Sequence, residues 1–296
     1  MRYRPFGATG KAVSALSLLL REAPNMNTPQ AWRTVVFGAM EHGVNAFELA
    51  AGIDVLALGV GEALRAVERR LVFLGWRLRG DPRGALTAEA ISLSVHNGLQ
   101  KTGAGYFDTL MMDEAAYNTL TPDARTYLNE LRDAGVVRQL GIAGEGAVID
   151  ACIETAAFDI LATPFNLTSD WKARRRVREA SAKDMVILAY DPFPGPLIRG
   201  GPAPGARAGL FGKPADPLAG AGTYAFLHET SNWTAEELCL AYLLTEPTFA
   251  SIQVQGLRPE AIARLAAVTD RDLPTGVAAQ IEMARFSADG GDRRRA

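Results

Sequence analysis

Short apolar runs rich in β-forming residues alternate with helical patterns along the whole chain, and this alternation constrains the fold more than any other feature. Most of the runs are continuously apolar, which is typical of strands covered on both faces. A strand followed by a helix at each step predicts βα units and a parallel sheet. The eight predicted strands are 13–20, 44–49, 71–76, 106–111, 138–142, 159–163, 185–190 and 250–254. Eight parallel strands predict a closed barrel.

The predicted helices have clear start signals. Thr121 is a suitable N-cap directly before Pro122, which is favoured at the first helical position. Thr234 and Glu237 have the spacing of a capping box, and Pro259 opens a further helix. These signals support the same alternating architecture.

Two segments interrupt the βα pattern. Residues 191–222 are rich in Pro and Gly and predict a long loop after the seventh strand, at the barrel face where ligands bind. The chain ends in Gly and Arg residues that predict a disordered tail over 287–296. We therefore interpret residues 1–286 as a single barrel domain.

Charge and cysteine content restrict the partners. The 296 residues include 31 Lys and Arg against 33 Asp and Glu, so we expect neither nucleic acid nor an anionic membrane as a partner. No apolar run reaches the roughly 18 residues of a spanning helix, and no apolar signal core follows Met1, which predicts a cytoplasmic protein. Cys152 and Cys239 fall in predicted helices and favour a buried, reduced pair without a metal.

Several short motifs, in their order and spacing, resemble those of the aldo-keto reductase family over nearly the whole chain. The resemblance implies a single (β/α)8 barrel whose bottom is closed by an N-terminal β-hairpin, and an oxidoreductase by ancestry. The motifs are YRPFGATG (3–10), VSAL (13–16), HGVNAF (42–47), LRDAGVVR (131–138), GI (141–142), PFNL (164–167), YDPF (190–193) and QG (255–256).

The resemblance also implies where a catalytic tetrad would lie. The family's reductases use an Asp, a Tyr, a Lys and a His near the C-terminal ends of the second, third and fourth strands. The matching positions here hold Glu48, Ile53, Arg77 and Asp113. The chain therefore resembles a divergent member that lacks the usual tetrad.

These replacements remove the usual proton donor. Carbonyl reduction by hydride needs an acid that protonates the developing alkoxide. Ile53 has no proton to give, and Arg77 stays protonated at any relevant pH. We therefore expect no conventional NADPH-dependent carbonyl reduction.

Part of the family's cofactor site is also replaced. The positions that hold the nicotinamide amide in the family are Ala143, Gly144 and Ala162 here, none with a polar side chain. The glycines at the end of the first strand are replaced by residues 18–21, LLLR. These changes predict that NADPH binding is weak or absent.

Other cofactor positions match the family. Tyr190 corresponds to the aromatic residue that stacks on the nicotinamide, and Gly195 and Leu197 correspond to part of the pyrophosphate loop. Arg258 aligns where it can face the ribose phosphate, and Arg264 aligns with an adenine contact. Any cofactor affinity is therefore expected to come from the phosphate end.

Three functions remain open. The first is a non-catalytic binding or regulatory protein, with a small molecule at the C-terminal barrel face and a protein partner left open. The second is an enzyme in which Glu48 and Asp113 act as acid and base while Arg77 orients a polar or anionic substrate. The third is an NADPH-dependent reductase with a non-standard site, for which Tyr117 is the convenient proton donor.

Glu48 and Arg77 keep the charge signs of an Asp and a Lys that normally pair, so we predict a salt bridge between them within about 4 Å. The prediction requires Arg77 to face the barrel interior and Trp76 to face the helices. The alternative interpretation of this cluster is a set of ion pairs that closes an unused pocket.

Overall fold

The computed structural model of the chain describes residues 1–80, 84–199, 224–255 and 258–292. The strands in these ranges are β1 (Tyr3–Pro5), β2 (Ala12–Ser14), β3 (Leu16–Leu20), β4 (Ala46–Ala50), β5 (Phe73–Leu78), β6 (Phe107–Asp113), β7 (Val137–Ala143), β8 (Ile160–Pro164), β9 (Val186–Tyr190) and β10 (Phe249–Val254). The α-helices are α1 (Pro29–Glu41), α2 (Asp54–Leu64), α3 (Ala88–Thr102), α4 (Glu114–Asn118), α5 (Pro122–Asp133), α6 (Ala147–Glu154), α7 (Trp171–Ala182), α8 (Gly195–Ile198), α9 (Phe226–Glu229), α10 (Ala235–Leu244), α11 (Pro259–Val268) and α12 (Val277–Asp292). Two short 3-10 helices cover Gly7–Thr9 and Arg69–Leu71.

Strands β3 to β10 form a closed barrel in the order β10-β3-β4-β5-β6-β7-β8-β9. Every neighbouring pair in the barrel is parallel. The helices between the strands surround this barrel, as βα units require. The predicted (β/α)8 barrel is confirmed.

A separate hairpin, β1 with β2, closes the bottom of the barrel. The two strands pair antiparallel with Tyr3 opposite Ser14. Asn45, just before β4, accepts a hydrogen bond from the Ser14 amide at 2.7 Å and donates one to the Ala12 carbonyl at 3.1 Å. Phe6 between the strands is 1% exposed and packs into the lumen, so the predicted N-terminal hairpin is confirmed.

The predicted first strand, 13–20, is wrong as a single element. Val13 pairs with Arg4 in the hairpin, whereas Leu16 already pairs with Ile252 in the barrel. The chain changes its pairing partner at Ala15, and no Gly or Pro marks this change in the sequence. All side chains from Val13 to Leu20 are buried, so the segment has the pattern of one continuous strand.

Two other strands end two residues later than predicted, and both shifts matter for the site. The strand predicted over 71–76 is Phe73–Leu78, because Leu71 belongs to a 3-10 helix and is 60% exposed. The strand predicted over 106–111 runs to Asp113. Arg77 and Asp113 are therefore strand residues rather than residues of the following loops.

The apolar core consists of two separate groups of side chains, one inside the barrel and one outside it. One group fills the lumen, where Phe73, Met111 and Leu188 pack against Phe6 of the hairpin. The other lies between the strands and the helices and includes alternate residues of the same strands, such as Leu74. This alternation is what brings every second strand residue into the lumen.

The helix start signals are confirmed. Helix α5 begins at Pro122 after Thr121, although the Thr121 side chain forms no capping hydrogen bond, and α11 begins at Pro259. Thr234 and Glu237 form the complete capping box of α10: the Glu237 amide donates to the Thr234 hydroxyl at 3.2 Å, and the Thr234 amide donates to the Glu237 carboxylate at 3.0 Å.

The two irregular segments are only partly described. Of the predicted loop 191–222, the described part contains the short helix α8, and residues 200–223 lie outside the described ranges. Helix α12 begins at Val277 and continues to Asp292, beyond the predicted domain end at 286. The disorder of 287–296 stays a prediction, and residues 293–296 are outside the described ranges.

Both cysteines, Cys152 and Cys239, are buried and free, as predicted. Within the described ranges, no helix has the length and apolar character needed to cross a membrane. The same residues contain no group of three or more His, Cys, Asp or Glu side chains arranged to hold a metal ion.

Candidate functional site

An ion pair between Glu48 and Arg77 lies in the lumen near the C-terminal ends of the strands. Strand β4 places Glu48 opposite Gly75 and Ala50 opposite Arg77 on β5. The Arg77 Nε contacts Glu48 Oε1, and the two side chains are 14% and 4% exposed. The salt bridge predicted from the sequence is therefore formed, and it is buried.

Gln253 on β10 completes this network and was missed by the sequence analysis. Its side-chain amide donates to the second oxygen of Glu48 at 2.8 Å, so both carboxylate oxygens are bound. The signal was present in the sequence, because Ser251 and Gln253 alternate with the apolar Ile252 and Val254 along one strand. We call Glu48, Arg77 and Gln253 the mouth network.

Gly75 makes room for this network. A Cβ atom at Gly75 would lie 2.6 Å from Thr109 Oγ1 and 3.2 Å from Glu48 Cγ. The side chains of Glu48 and Thr109 thus occupy the space that a side chain at position 75 would need.

Trp76 faces away from the lumen. Its indole stacks on Phe107 with ring centroids 5.2 Å apart, and its Nε1 donates to Ser94 Oγ of α3 at 3.1 Å. This places Arg77, its neighbour on the strand, inside the barrel, as the sequence analysis required.

The charge of Arg77 is stabilised by its surroundings. Burial disfavours the charged guanidinium, but the charge of Glu48 and its hydrogen bond outweigh burial and raise the pKa of Arg77 above its usual value. Tyr190 and Asp113 contribute in the same direction. Arg77 therefore cannot act as an acid.

Tyr190 ends β9 beside this network. The Arg77 Cζ lies 5.9 Å from the centre of its ring. Burial raises the pKa of Tyr190 to about 12, although the Arg77 charge acts against the shift. The hydroxyl is therefore a weak acid at neutral pH.

Asp113 does not join the mouth network. Its carboxylate accepts a hydrogen bond from the Ala116 amide at 2.7 Å and is the N-cap of α4. Its charge still acts on Arg77, but no ion pair forms between them. The structure thus brings two of the three predicted catalytic residues together and gives the third a structural contact.

Neither of the two positions considered for a tyrosine supplies one to the lumen. Ile53 is the residue before α2 and packs against the core outside the barrel. Tyr117 packs edge-on against Phe158, with centroids 5.8 Å apart, and its hydroxyl accepts from Arg125 at 3.4 Å. The suggestion that Tyr117 enters the site is therefore wrong, because α4 directs this ring into the helical layer.

A second ion pair lies above the network. Arg79, two residues after Arg77, binds both oxygens of Glu22 through its two terminal nitrogens, at 2.6 and 2.5 Å. This pair connects the segments after β3 and β5 and is largely exposed. Arg21, the last of the residues that replace the family's first-strand glycines, is exposed.

The predicted nicotinamide positions have no polar side chains. Ala143, the last residue of β7, is 2% exposed, and Ala162, opposite it in the middle of β8, is 0% exposed. Gly144 follows Ala143 with a φ of 144°. Buried methyl groups at these places leave no side-chain donor or acceptor for an amide.

The predicted phosphate-side residues divide into free and occupied groups. Gly195 and Leu197 lie in α8, where the Leu197 carbonyl accepts from His228 Nε2 at 2.8 Å. Arg258 precedes α11, is exposed, and forms no ion pair with any described residue. Arg264 forms an ion pair with Glu236 at 2.7 Å, so a carboxylate already compensates its charge.

The comparisons with known proteins agree with this architecture. The sequence model of the aldo/keto reductase family matches residues 20–285. An aldo-keto reductase from Bacillus halodurans in its holo form superposes with a TM-score of 0.73 at 17% identity, covering 95% of each chain. One from Klebsiella pneumoniae, solved in complex with NADPH, gives 0.71 at 17% identity over 95% of this chain and 94% of that one. A putative aldo-keto reductase from Pseudomonas aeruginosa gives 0.65 at 15% identity over 90% and 93%.

Proposed function

The chain belongs to the aldo-keto reductase family, and we propose that it uses the family's barrel to bind a small polar molecule rather than to reduce carbonyls by the usual mechanism. The family is one of oxidoreductases, so the chain is an oxidoreductase by ancestry. The proposal is that its present activity has departed from that ancestry at the barrel mouth.

The observation that carries the proposal is the state of Glu48 and Arg77. The two side chains neutralise each other, and both oxygens of Glu48 are already bound. Ile53 supplies no proton, and Tyr190, with a pKa raised to about 12 by burial, is poorly matched to proton transfer at neutral pH. These residues support a site without an effective general acid.

The same contacts weigh against acid–base catalysis by Glu48 and Asp113. A general base needs a free oxygen within hydrogen-bond reach of the substrate. Glu48 is 4% exposed and both of its oxygens are bound, and Asp113 uses one oxygen as the N-cap of α4 and does not reach the mouth network. We therefore keep binding as the proposed function.

Two buried polar atoms support a polar ligand. Arg77 Nη2, a donor, and Gln253 Oε1, an acceptor, have no hydrogen-bond partner among the described residues. Buried polar groups are normally satisfied by protein, water or ligand. A small molecule that offers both an acceptor and a donor at the C-terminal face of the barrel fits this pair.

The nicotinamide end of NADPH does not fit the described residues. Ala143 and Ala162 have no polar side-chain atom for the amide, and the Tyr190 ring is turned towards Arg77. The phosphate end fits better, since Arg258 is exposed and unpaired among the described residues. We propose that NADPH affinity is weak, that it comes from this end, and that the protein acts in the cytoplasm.

An activity assay on the full chain tests the main proposal. NADPH oxidation with aromatic and aliphatic aldehydes is expected to stay at the no-enzyme background. Turnover of about 1 per second, a low enzyme rate, contradicts the proposal. Thermal-shift screening of small polar compounds on the same preparation is expected to find a stabilising ligand whose effect is lost in Gln253→Leu.

A matched pair of variants tests the cofactor statement. Arg258→Ala is expected to remove most of the preference for NADPH over NADH, because its charge faces solvent at the start of α11. Arg264→Ala, the same change within α11 itself, is expected to keep the preference, because Arg264 is bound to Glu236. Fluorescence titration with both nucleotides measures the two ratios, and an unchanged ratio in Arg258→Ala rejects the assignment.

A further inference from the structure

A second cluster of charges lies at the bottom of the barrel, far along the strands from the mouth. It consists of Lys11, Arg69, Tyr106, Asp108 and Arg138, which we call the basal cluster. Lys11 comes from the hairpin, and the others lie just before or at the starts of β5, β6 and β7. The cluster is therefore separate from the proposed mouth site.

The cluster contains more positive than negative charge. Asp108 is 1% exposed, and its carboxylate pairs with the three cations of the cluster, Lys11, Arg69 and Arg138. Of the nearby acids, Glu68 pairs with Arg70 and Asp159 pairs with Arg132. Among the described residues, no other carboxylate forms an ion pair with the three cations, which leaves two positive charges uncompensated.

Asp108 has little capacity left to bind these cations. Its Oδ2 accepts from the Leu74 amide and from Arg69, both at 2.9 Å. Its Oδ1 contacts Lys11 and lies 4.0 Å from Arg138 Nη1, which is outside hydrogen-bond distance. Arg138 is therefore the weakly bound cation of the three.

The two arginines of the cluster differ in how their donors are used. Arg69 donates to the carbonyls of Val72, Ala104 and Tyr106 as well as to Asp108. The Arg138 side chain is 48% exposed, and its guanidinium forms no hydrogen bond with any described residue. Both guanidinium groups lie against the Tyr106 ring, at 4.0 and 3.9 Å from its centre, so stacking holds Arg138 in place with its donors free.

A planar guanidinium that is held by stacking and has free donors is well suited to an oxyanion. The Lys11 ammonium lies 5.4 Å from the same ring and has three donors, one of which contacts Asp108. We propose that the basal cluster binds an oxyanion of the phosphate class between Arg138 and Lys11. The anion offsets the two excess positive charges.

Isothermal titration calorimetry of the full chain with sodium phosphate tests this proposal by measuring the binding affinity. The ionic strength is held constant with sodium chloride. Phosphate is expected to bind the unchanged protein, and Arg138→Gln is expected to weaken binding at least about tenfold because it removes a charge-assisted contact. Arg70→Gln is the matched control: it removes the same charge from a residue 79% exposed beside the cluster and is expected to leave affinity within about twofold.

Sulfate binding at the same site supports the oxyanion class, and a phosphate signal no larger than that of chloride overturns the proposal. Unchanged phosphate affinity in Arg138→Gln also overturns it. Lys11→Met is the second variant should Arg138→Gln fail to fold, and it is expected to weaken binding in the same direction. Broadening of the phosphate phosphorus-31 resonance gives an independent readout of the same variants.

Discussion

The mouth network and the basal cluster each hold one buried carboxylate with arginine, but they differ in charge balance and in access to water. Glu48 faces one cation and one amide, so the mouth is neutral. Asp108 faces three cations, so the base is positive. The two carboxylates are almost equally buried, at 4% and 1% exposure.

The difference lies in what remains when one partner is removed. At the mouth, Arg77 is mostly buried, and its loss leaves the buried Glu48 carboxylate without its cation. At the base, Lys11 and Arg69 are 21% and 19% exposed, so water reaches these cations if Asp108 is lost. The mouth network, whose carboxylate has fewer partners, is therefore expected to lose more stability when one partner is removed. The cost of a buried charge depends on whether it can be hydrated.

The largest expected effect is that of Arg77→Met. It leaves Glu48 uncompensated and is expected to lower the free energy of unfolding by roughly 3 to 5 kcal/mol. The double change Glu48→Met with Arg77→Met is the control and is expected to recover most of the loss, because no charge remains. Urea denaturation measures both variants, and a loss under about 1 kcal/mol in Arg77→Met contradicts the buried pair.

A smaller effect is expected for Asp108→Asn. The asparagine keeps an acceptor for the Leu74 amide but loses the charge that holds Lys11 and Arg69, and we expect a loss of about 2 to 3 kcal/mol. Asp133→Asn, an exposed position, is expected to change stability by less than about 0.5 kcal/mol. A loss for Asp108→Asn larger than that of Arg77→Met reverses the comparison between the two sites.

The smallest effect is expected for Arg79→Met, which breaks the exposed pair above the mouth and is expected to cost under about 1 kcal/mol. The hydrogen bond from Arg79 lowers the pKa of Glu22 in the folded protein. The stabilisation by this pair is therefore present above the unfolded-state pKa of Glu22 and is lost as pH falls through the folded-state value. Urea curves of variant and unchanged protein are expected to converge in acid; a difference that persists there assigns the effect to packing of the Arg79 side chain.

Local signals in the sequence predicted most of the fold. Continuous apolar runs located all eight barrel strands, and Thr121 and Thr234 located their helix starts, because these features depend on neighbours in the chain. The division of the predicted first strand at Ala15 depended instead on partners from β1 and β10, which no local pattern contains.

The site was predictable where it depended on the family resemblance. That resemblance placed Glu48 and Arg77 at the barrel mouth in the positions of an Asp and a Lys that normally pair, and the structure pairs them. Tyr117 was misplaced because the orientation of the short helix α4 decides where its ring points. The basal cluster escaped prediction because its residues, from Lys11 to Arg138, are distant in sequence and meet only when the barrel closes on the hairpin.

The cap that Asp113 supplies to α4 also limits how this sequence can change. A His at this position, as the family's reductases have, would remove the oxygen that binds the Ala116 amide and cost about 1 kcal/mol before any new chemistry was gained. Arg77 and Glu48 are similarly dependent on each other. Stepwise replacement towards the reductase residues thus begins with losses of stability. Selection for folding alone would therefore disfavour each of these single replacements.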